Sequence, residues 1–206
     1  MLKNYIFDFG NVLANFYPEQ LTAPFVQDKE LCRKISEVVF DRILWDPLDA
    51  GKITDEALKE EICKRLPPKW AEIGCRVYDN WISSLTPVAG MTELVEEMKR
   101  ADMNLYLLSN ISIGFAEGHR QVPWICELLS GFRGCVFSGT IGITKPGKEI
   151  FDYLLKTYSL KADECLFIDD SIMNIKGAET VGINGYLFDG DAEKLRDYLV
   201  YNKCRI

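Results

Sequence analysis

Near its N-terminus the sequence reads Tyr5-Ile6-Phe7-Asp8-Phe9-Gly10-Asn11-Val12-Leu13, an apolar run that passes directly into a carboxylate and a glycine. A short apolar run of this kind predicts a buried β-strand. Asp8 would then stand at the carboxyl end of that strand, where Gly10 lets the backbone approach a ligand closely. Open parallel α/β sheets bind their ligands at that edge. This edge is therefore where a carboxylate nucleophile would be expected, and Asp8 is the candidate.

After residue 87 the chain alternates short apolar segments with amphipathic ones. Apolar residues at helical spacing, such as Leu94, Val95 and Met98, indicate helices, and short apolar runs indicate strands. This alternation predicts an α/β fold with βαβ units and a parallel sheet of about five strands, counting the strand before Asp8. The predicted strands are 104–108, 135–137, 165–168 and 185–188, and the predicted helices are 90–100, 150–158, 171–181 and 192–201.

Residues 16–86 lack the alternation, and their pattern predicts helices throughout, at 19–27, 29–39, 54–65 and 69–83. Thr54 is suited to begin the third of these, because its hydroxyl can accept hydrogen bonds from the free N–H groups of a first turn. We predict that residues 1–15 and 87–206 form the α/β core and that residues 16–86 form an inserted helical cap. Its hinges are expected near 14–17 and 84–87, because a cap must move for substrate to enter.

The composition excludes several classes of partner. The formal net charge of −7, without a Lys/Arg stripe, argues against a nucleic-acid or anionic-membrane surface. No apolar run reaches the ~18 residues of a membrane helix, and the first residues do not resemble a signal peptide. The seven cysteines are scattered without a Cys-x-x-Cys pair, which predicts reduced thiols in a cytoplasmic protein. The oligomeric state is left open.

Four polar segments fall at predicted strand ends or in loops on one edge of the sheet. Each has a purely structural explanation, since Asp, Ser and Asn also form turns and helix caps. Together they supply carboxylate oxygens for Mg²⁺, hydrogen-bond donors for phosphate oxygens and a lysine that can neutralise charge. These groups suit phosphoryl transfer through an aspartyl-phosphate. The segments are Asp8, Ser109-Asn110, Lys145-Pro146 and Asp169-Asp170.

With these segments in this order, the chain resembles the haloacid dehalogenase (HAD) superfamily of hydrolases over essentially its whole length. The matching segments are Phe7-Asp8-Phe9-Gly10-Asn11-Val12-Leu13, Leu107-Leu108-Ser109-Asn110, Lys145-Pro146 and Phe167-Ile168-Asp169-Asp170, with Asn174 and Gly177-Ala178 downstream. The resemblance implies a Rossmann-like core with a helical cap inserted after the first strand.

The resemblance also implies roles for individual residues. Asp8 would attack phosphorus, while Ser109 and Lys145 would hold the phosphate; Asn110 is a further candidate phosphate donor. Asp169 would hold Mg²⁺ together with Asp8, and the backbone carbonyl of Gly10 would be a further metal ligand. Asp170 is a candidate ligand, or lies just behind the ligands.

Position 10 departs from the usual pattern, because phosphatases of this family usually carry a second Asp there as general acid and base. Three explanations stay open: a phosphatase that moves its protons by another route, a 2-haloacid dehalogenase, or a HAD-fold protein that binds without catalysis. The Asp-x-Gly-Asn-Val form resembles the sugar-phosphate branch of the family, including α-glucose-1-phosphate phosphatase. A dehalogenase needs no Mg²⁺, whereas the pair Asp169-Asp170 is suited to a metal.

Water or a cap residue would then handle the protons. Asp46 and Asp49 are candidates because they are titratable and near expected pocket loops, with an ordinary surface position as the competing explanation. His119, the only histidine, is not assigned a catalytic role. The ring of Trp45 could stack on a sugar, and the competing explanation is packing inside the cap.

We predict a Mg²⁺-dependent phosphomonoesterase that acts on a small phosphorylated metabolite, with sugar phosphates as the leading candidates. The non-catalytic binding protein and the dehalogenase are kept as alternatives.

Overall fold

A five-stranded parallel sheet lies at the centre of the computed structural model, which describes residues 2–202. All four strand pairs in this sheet are parallel, and the sheet order is β5-β4-β1-β6-β7. The α/β fold class predicted from the sequence is therefore confirmed. The sheet strands are β1 (Asn4–Phe7), β4 (Asn104–Ser109), β5 (Gly134–Phe137), β6 (Cys165–Asp169) and β7 (Asn184–Leu187).

The central strand β1 is buried on both faces, as expected of an apolar strand in a parallel sheet. Its side chains alternate between two hydrophobic clusters. Tyr5 and Phe7 belong to one cluster and Ile6 to the other, as the two-residue period of a strand requires.

Helices cover both faces of the sheet. The cluster that contains Phe7 also contains apolar residues of α6 and α12, and the cluster that contains Ile6 also contains residues of α10 and α11. The helices outside residues 16–86 are α6 (Met91–Arg100), α7 (Ile113–Gly118), α8 (Pro123–Leu129), α9 (Ser138–Ile141), α10 (Lys148–Thr157), α11 (Ile172–Glu179) and α12 (Ala192–Tyr201).

The helical insertion, defined here as residues 18–80, follows β1. Two short strands, β2 (Ala14–Asn15) and β3 (Thr86–Pro87), pair antiparallel at its two ends. They lie in the segments predicted as hinges. The insertion contains α1 (Pro18–Thr22), α2 (Lys29–Val39), α3 (Arg42–Asp49), α4 (Asp55–Arg65) and α5 (Pro68–Asn80). The division of the chain into a core and a mobile cap stays a prediction.

Five aromatic rings pack together where the insertion meets the core. The rings of Trp45 and Trp81 lie 5.2 Å apart, and Trp81 stacks on Phe115 of α7 at 5.7 Å. The ring of Phe115 also lies 4.7 Å from the ring of Phe9, and Phe9 directly follows Asp8 in the chain. This aromatic cluster therefore connects the insertion to the sheet edge. Its members are Phe16, Phe40, Trp45, Tyr78 and Trp81.

Several helices differ from their predicted extents. The first was predicted at 19–27, but α1 ends at Thr22, because Pro24 has no backbone N–H with which to continue the helix. Helix α3 was not predicted, since it contains Pro47, which usually breaks a helix. The Thr54 cap is present: its hydroxyl accepts from the N–H of Ala57 at 3.2 Å.

The cysteines and apolar segments can be compared with their predictions only over the described residues. Six of the seven cysteines are free thiols, and Cys204 lies outside the described residues. The sulfur atoms of Cys63 and Cys75 lie 3.2 Å apart on α4 and α5. Within residues 2–202, no helix has the length and apolarity to cross a membrane.

The packing between α4 and the rest of the insertion generates a stability prediction. Ile62 on α4 is fully buried, whereas Ile43 on α3 is 76% exposed. We expect Ile62→Ala to lower the free energy of unfolding by about 2–5 kcal/mol, because it removes buried methyl groups and leaves a cavity. Urea denaturation measures the change. Ile43→Ala is the matched control and should change it by less than about 0.5 kcal/mol; equal losses in both variants would contradict this account of the packing.

Candidate active site

The predicted site residues converge at the carboxyl edge of the three central strands. Asp8 directly follows β1, and its N–H donates to the carbonyl of Ile168 at 2.9 Å. Ser109 and Asp169 are the last residues of the two neighbouring strands, β4 and β6. The parallel register therefore brings together three residues that are far apart in sequence.

Lys145 lies between two of these carboxylates. Its Nζ is 2.8 Å from Oδ1 of Asp8 and 2.7 Å from Oδ2 of Asp169. Its side chain is only 1% exposed. A buried ammonium is costly unless it is paired, and here two carboxylates pair with it.

Asp169 is held in place by the start of α11. Its Oδ1 accepts from the N–H of Ser171 at 2.8 Å and from Nδ2 of Asn174 at 3.0 Å. Nδ2 of Asn174 also lies 3.1 Å from Oδ2. No function was predicted for Asn174 from the sequence, and its spacing of five residues from Asp169 was the available signal. The carboxylate is thus fixed by backbone and side-chain donors as well as by Lys145.

The electrostatics at the sheet edge shift three pKa values. Burial raises the pKa of Asp8 to about 6; Lys145 opposes this shift and Asp169 adds to it. Burial alone would lower the pKa of Lys145, but Asp8 and Asp169 outweigh it, so its pKa is raised. Burial and the charge of Asp169 raise the pKa of Asp170. Lys145 is therefore firmly cationic, and the carboxylates carry an excess of negative charge.

This carboxylate cluster fits a divalent cation. Asp8, Asp169 and Asp170 each place an oxygen within 4.8 Å of the others. Oδ1 of Asp8 is close to the Lys145 ammonium, yet it makes no directed hydrogen bond within residues 2–202. Mg²⁺ prefers such hard oxygen ligands, and three carboxylates beside one ammonium leave negative charge for it to balance. Gly10 lines the same cavity; the ligand role of its carbonyl stays a prediction.

Asn110 is engaged with the loop that carries Lys145. Its Nδ2 donates to the carbonyl of Lys145 at 2.9 Å, and its Oδ1 accepts from the N–H of Lys145 at 2.8 Å. Both ends of the carboxamide therefore fix the lysine backbone. This contact was not predicted from the sequence. The phosphate-binding roles of Asn110 and Ser109 stay predictions.

A cavity of about 590 Å³ opens above the carboxylate cluster. Its floor includes Asp8, Ser109 and Lys145. One wall includes Phe16 and Trp81, which are two members of the aromatic cluster. This volume is within the range of small-molecule sites. The cavity therefore joins the charged sheet edge to the helical insertion.

The other residues considered from the sequence separate into two groups. Asp46, Asp49 and Trp45 line the cavity. Trp45 is also buried in the aromatic cluster, with its indole N–H donating to the carbonyl of Val39 at 2.6 Å. His119 lies outside this cavity, stacked on Phe115 with a ring nitrogen 3.0 Å from the carbonyl of Ala116.

Two curated phosphatases match most of the chain: the sesquiterpene phosphatase astK of Aspergillus oryzae, 26% identical over 89% of this chain and 88% of that protein, and the D-ribitol-5-phosphate phosphatase of Bacteroides thetaiotaomicron, 25% identical over 94% and 95%.

A solved HAD family enzyme of Bacteroides thetaiotaomicron, in complex with magnesium and inorganic phosphate, shares the fold. It superposes with a TM-score of 0.70 at 24% identity, covering 95% of this chain and 99% of that one. The sequence profile of the haloacid dehalogenase-like hydrolases matches residues 2–182. This match extends from before β1 to beyond α11, and it includes the insertion and the ends of β1, β4 and β6. The chain therefore belongs to the haloacid dehalogenase-like hydrolase family.

Proposed function

We propose that this protein is a Mg²⁺-dependent phosphomonoesterase that hydrolyses a small phosphorylated metabolite through an aspartyl-phosphate on Asp8. The observation that carries the proposal is the buried Lys145 ammonium, 2.8 Å from Asp8 and 2.7 Å from Asp169 on the floor of the cavity. Family membership supports hydrolysis as the reaction. The two phosphatase relatives support a phosphate ester as the substrate.

In the first half of the reaction, a carboxylate oxygen of Asp8 attacks phosphorus. The bond between phosphorus and the leaving oxygen breaks, and that oxygen leaves as an alcohol after it takes up a proton. In the second half, water attacks the aspartyl-phosphate and gives up a proton. Phosphate is released and the Asp8 carboxylate is regenerated. Each half is a displacement at phosphorus in which charge must be stabilised and groups aligned.

Lys145 supplies the fixed positive charge for both halves. Its pKa is raised by the two neighbouring carboxylates, so it stays protonated and can neutralise charge on the transferring phosphoryl group. We assign the hydroxyl of Ser109, at the end of β4, to donate to a phosphate oxygen. Asn110 acts on the same lysine by fixing its backbone, and we assign it this positioning role in addition to the phosphate contact.

Asp8, Asp169 and Asp170, with the backbone carbonyl of Gly10, are the groups that would hold Mg²⁺. When bound, the ion would offset repulsion between the phosphate and the carboxylates and would polarise a phosphoryl oxygen. The related structure that contains magnesium and phosphate supports this cofactor.

The cavity supports a polar, sugar-like alcohol as the leaving group. Arg42 and Asp46 line it with side chains that are 75% and 64% exposed, so they can bind hydroxyl groups. The D-ribitol-5-phosphate phosphatase is consistent with this class. A second candidate is an apolar alcohol, because Phe16 and Trp81 offer aromatic surface and one relative is a sesquiterpene phosphatase.

Removing the nucleophile tests the reaction. We expect Asp8→Asn to lower Mg²⁺-dependent phosphate release below about one thousandth of the wild-type rate, because the amide cannot form the aspartyl-phosphate. Release is measured on a panel of phosphorylated metabolites. Asp163→Asn, the same change at an exposed position, is the control and should keep the wild-type rate.

Two results would contradict the phosphatase proposal. Silence of the wild-type protein across the whole panel with Mg²⁺ would favour a non-catalytic binding protein. Release of halide from a 2-haloacid in the presence of EDTA, without phosphate release, would favour a dehalogenase.

Metal binding can be tested without activity. Mg²⁺ at 100 times its Kd should stabilise the folded protein by about 2.7 kcal/mol. For a chain of this length that corresponds to a rise in Tm of about 5–10 °C. EDTA should reverse the rise, and Asp169→Asn should lose most of it because a ligand is removed. Asp163→Asn should keep it. An unchanged wild-type Tm at saturating Mg²⁺ would count against the carboxylate cluster as a metal site.

The substrate class can be decided by direct competition. We expect pentose and hexose phosphates to exceed terpenyl monophosphates in kcat/KM by at least about ten-fold, because Arg42 and Asp46 can bind hydroxyl groups that a terpenyl chain lacks. The measurement is phosphate release at equal, low substrate concentrations. The reverse order would favour the second candidate and leave the aspartyl-phosphate mechanism intact.

A further inference from the structure

Hydrolysis of an alkyl phosphate needs a proton donor for the leaving oxygen. Position 10 offers none, because glycine has no side chain there. Steric crowding does not explain the glycine: a Cβ built on Gly10 would meet only the Cβ of Phe16, at an ordinary 3.9 Å. The donor must therefore come from elsewhere in the cavity.

Few described side chains of the cavity can donate a proton to a leaving group. Asp8 and Asp170 belong to the carboxylate cluster, and the Lys145 ammonium is held between carboxylates. Arg42 is a permanent cation that pairs with Asp46 at 3.2 Å, and Asp46 is 64% exposed. Asp49 remains. The ionisable residues that line the cavity are Asp8, Arg42, Asp46, Asp49, Lys145 and Asp170.

One carboxylate oxygen of Asp49 is buried without a hydrogen-bond partner among the described residues. The residue is 6% exposed, and its Oδ1 has no hydrogen-bond partner among residues 2–202. A buried polar atom normally finds a partner, because leaving it unpaired costs about 1–3 kcal/mol. An unpaired carboxyl oxygen in a ligand-sized cavity indicates that a substrate group completes the site.

The position of Asp49 suits the leaving group. Asp49 is the last residue of α3 in the helical insertion, whereas Asp8 lies on the sheet. In phosphoryl transfer the attacking and leaving oxygens lie roughly in line on opposite sides of phosphorus. A leaving group expelled by Asp8 therefore departs away from the sheet edge, into the part of the cavity that the insertion lines.

The core holds Asp49 in this position. Its carbonyl accepts from Oγ of Ser138 at 2.6 Å, and the same Oγ accepts from the N–H of Ile111, two residues after Ser109. The backbone just after Asp49 also lies close to the backbone of the core: a Cβ built on Gly51 would lie 2.4 Å from the carbonyl oxygen of Gly139. Asp49 is thus anchored to the strand-end loop that carries Ser109 and Asn110.

We propose that Asp49 is the general acid that protonates the leaving oxygen, and that its carboxylate then accepts the proton of the attacking water. The proton leaves the Asp49 carboxyl as the bond from phosphorus to oxygen breaks, and the product is a neutral alcohol. When water hydrolyses the aspartyl-phosphate, its proton returns to Asp49 and restores the starting state. This proposal rests on the phosphatase function proposed above.

The charge environment agrees with this role. Burial raises the pKa of Asp49 to about 8, so at neutral pH the carboxyl carries the proton that it must donate. Arg42 on the same helix and Lys145 oppose the shift, while Asp46 and Asp8 add to it. Tyr78 also faces Asp49, with its hydroxyl donating to Asp55 at 2.6 Å.

The test compares two substrates in Asp49→Asn. An alkyl phosphate, the sugar phosphate with the highest wild-type kcat/KM, needs a proton on its leaving oxygen, whereas para-nitrophenyl phosphate expels a stable anion. We expect Asp49→Asn to lower kcat/KM for the alkyl phosphate by about 10²–10⁴-fold and for para-nitrophenyl phosphate by less than about ten-fold. kcat/KM reports only the steps up to loss of the leaving group, so it isolates the acid role.

The base role has a separate readout. If Asp49→Asn cannot take the proton of water, the aspartyl-phosphate accumulates, and rapid mixing with para-nitrophenyl phosphate should show a burst of nitrophenolate equal to the enzyme concentration. Asp163→Asn, the same change at an exposed position outside the cavity, is the control and should keep the wild-type ratio of the two kcat/KM values.

Failure of this proposal is distinguishable from failure of the phosphatase function. An active wild-type protein whose Asp49→Asn variant loses kcat/KM equally for both substrates overturns the acid role, since a structural defect acts on both. A wild-type protein inactive on both substrates overturns the phosphatase function itself. If Asp49→Asn does not fold, the pH profile of the wild-type protein decides. kcat/KM for the alkyl phosphate should fall above about pH 8, because Asp49 then loses its proton, whereas kcat/KM for para-nitrophenyl phosphate should not. Parallel pH profiles for the two substrates would overturn the proposal.

Discussion

The site depends on one buried ammonium held between two carboxylates. Asp8 and Asp169 end on neighbouring strands, and without a cation their charges would repel each other in a poorly solvated position. Lys145 satisfies both, at 2.8 and 2.7 Å, from a loop that belongs to neither strand. The loop is in turn fixed by both ends of the Asn110 carboxamide. The charge balance of the sheet edge therefore requires three strands and one loop to be in register at once.

The parallel sheet makes that register possible. In a parallel sheet every strand ends at the same edge, so residues about 35, 60 and 100 positions apart can meet without any long-range sequence pattern. The buried apolar side chains of β1, β4 and β6 fix the register of each strand, because a shift of one residue would turn its side chains to the opposite face of the sheet. This register sets the positions of Asp8, Ser109 and Asp169 relative to one another along the strand direction.

The extent to which the sequence was predictive follows from the same physics. The α/β sheet, most helices around it and the convergence of Asp8, Ser109, Lys145 and Asp169 were predictable, because strand periodicity and strand-end chemistry are local signals. Helix α3 was not, because Pro47 masks it. The Asp49 carbonyl accepts a hydrogen bond from Ser138, 89 residues away, and a contact of that range leaves no local trace in the sequence. The Asn110 contact with Lys145 was hidden for the same reason.

The protein therefore divides its chemistry between two parts of the fold. The sheet edge concentrates fixed charge, and its groups need to stay charged throughout the reaction. Proton transfer has the opposite requirement, since the donor must be neutral before the step and anionic after it. At the sheet edge, Lys145 and any bound cation oppose the rise in carboxyl pKa that burial causes, and so favour the anion. Asp49 lies instead in the insertion, where burial favours the protonated form. With glycine at position 10, charge stabilisation belongs to the sheet edge and proton transfer belongs to the insertion. The insertion therefore contributes to the reaction as well as covering the cavity.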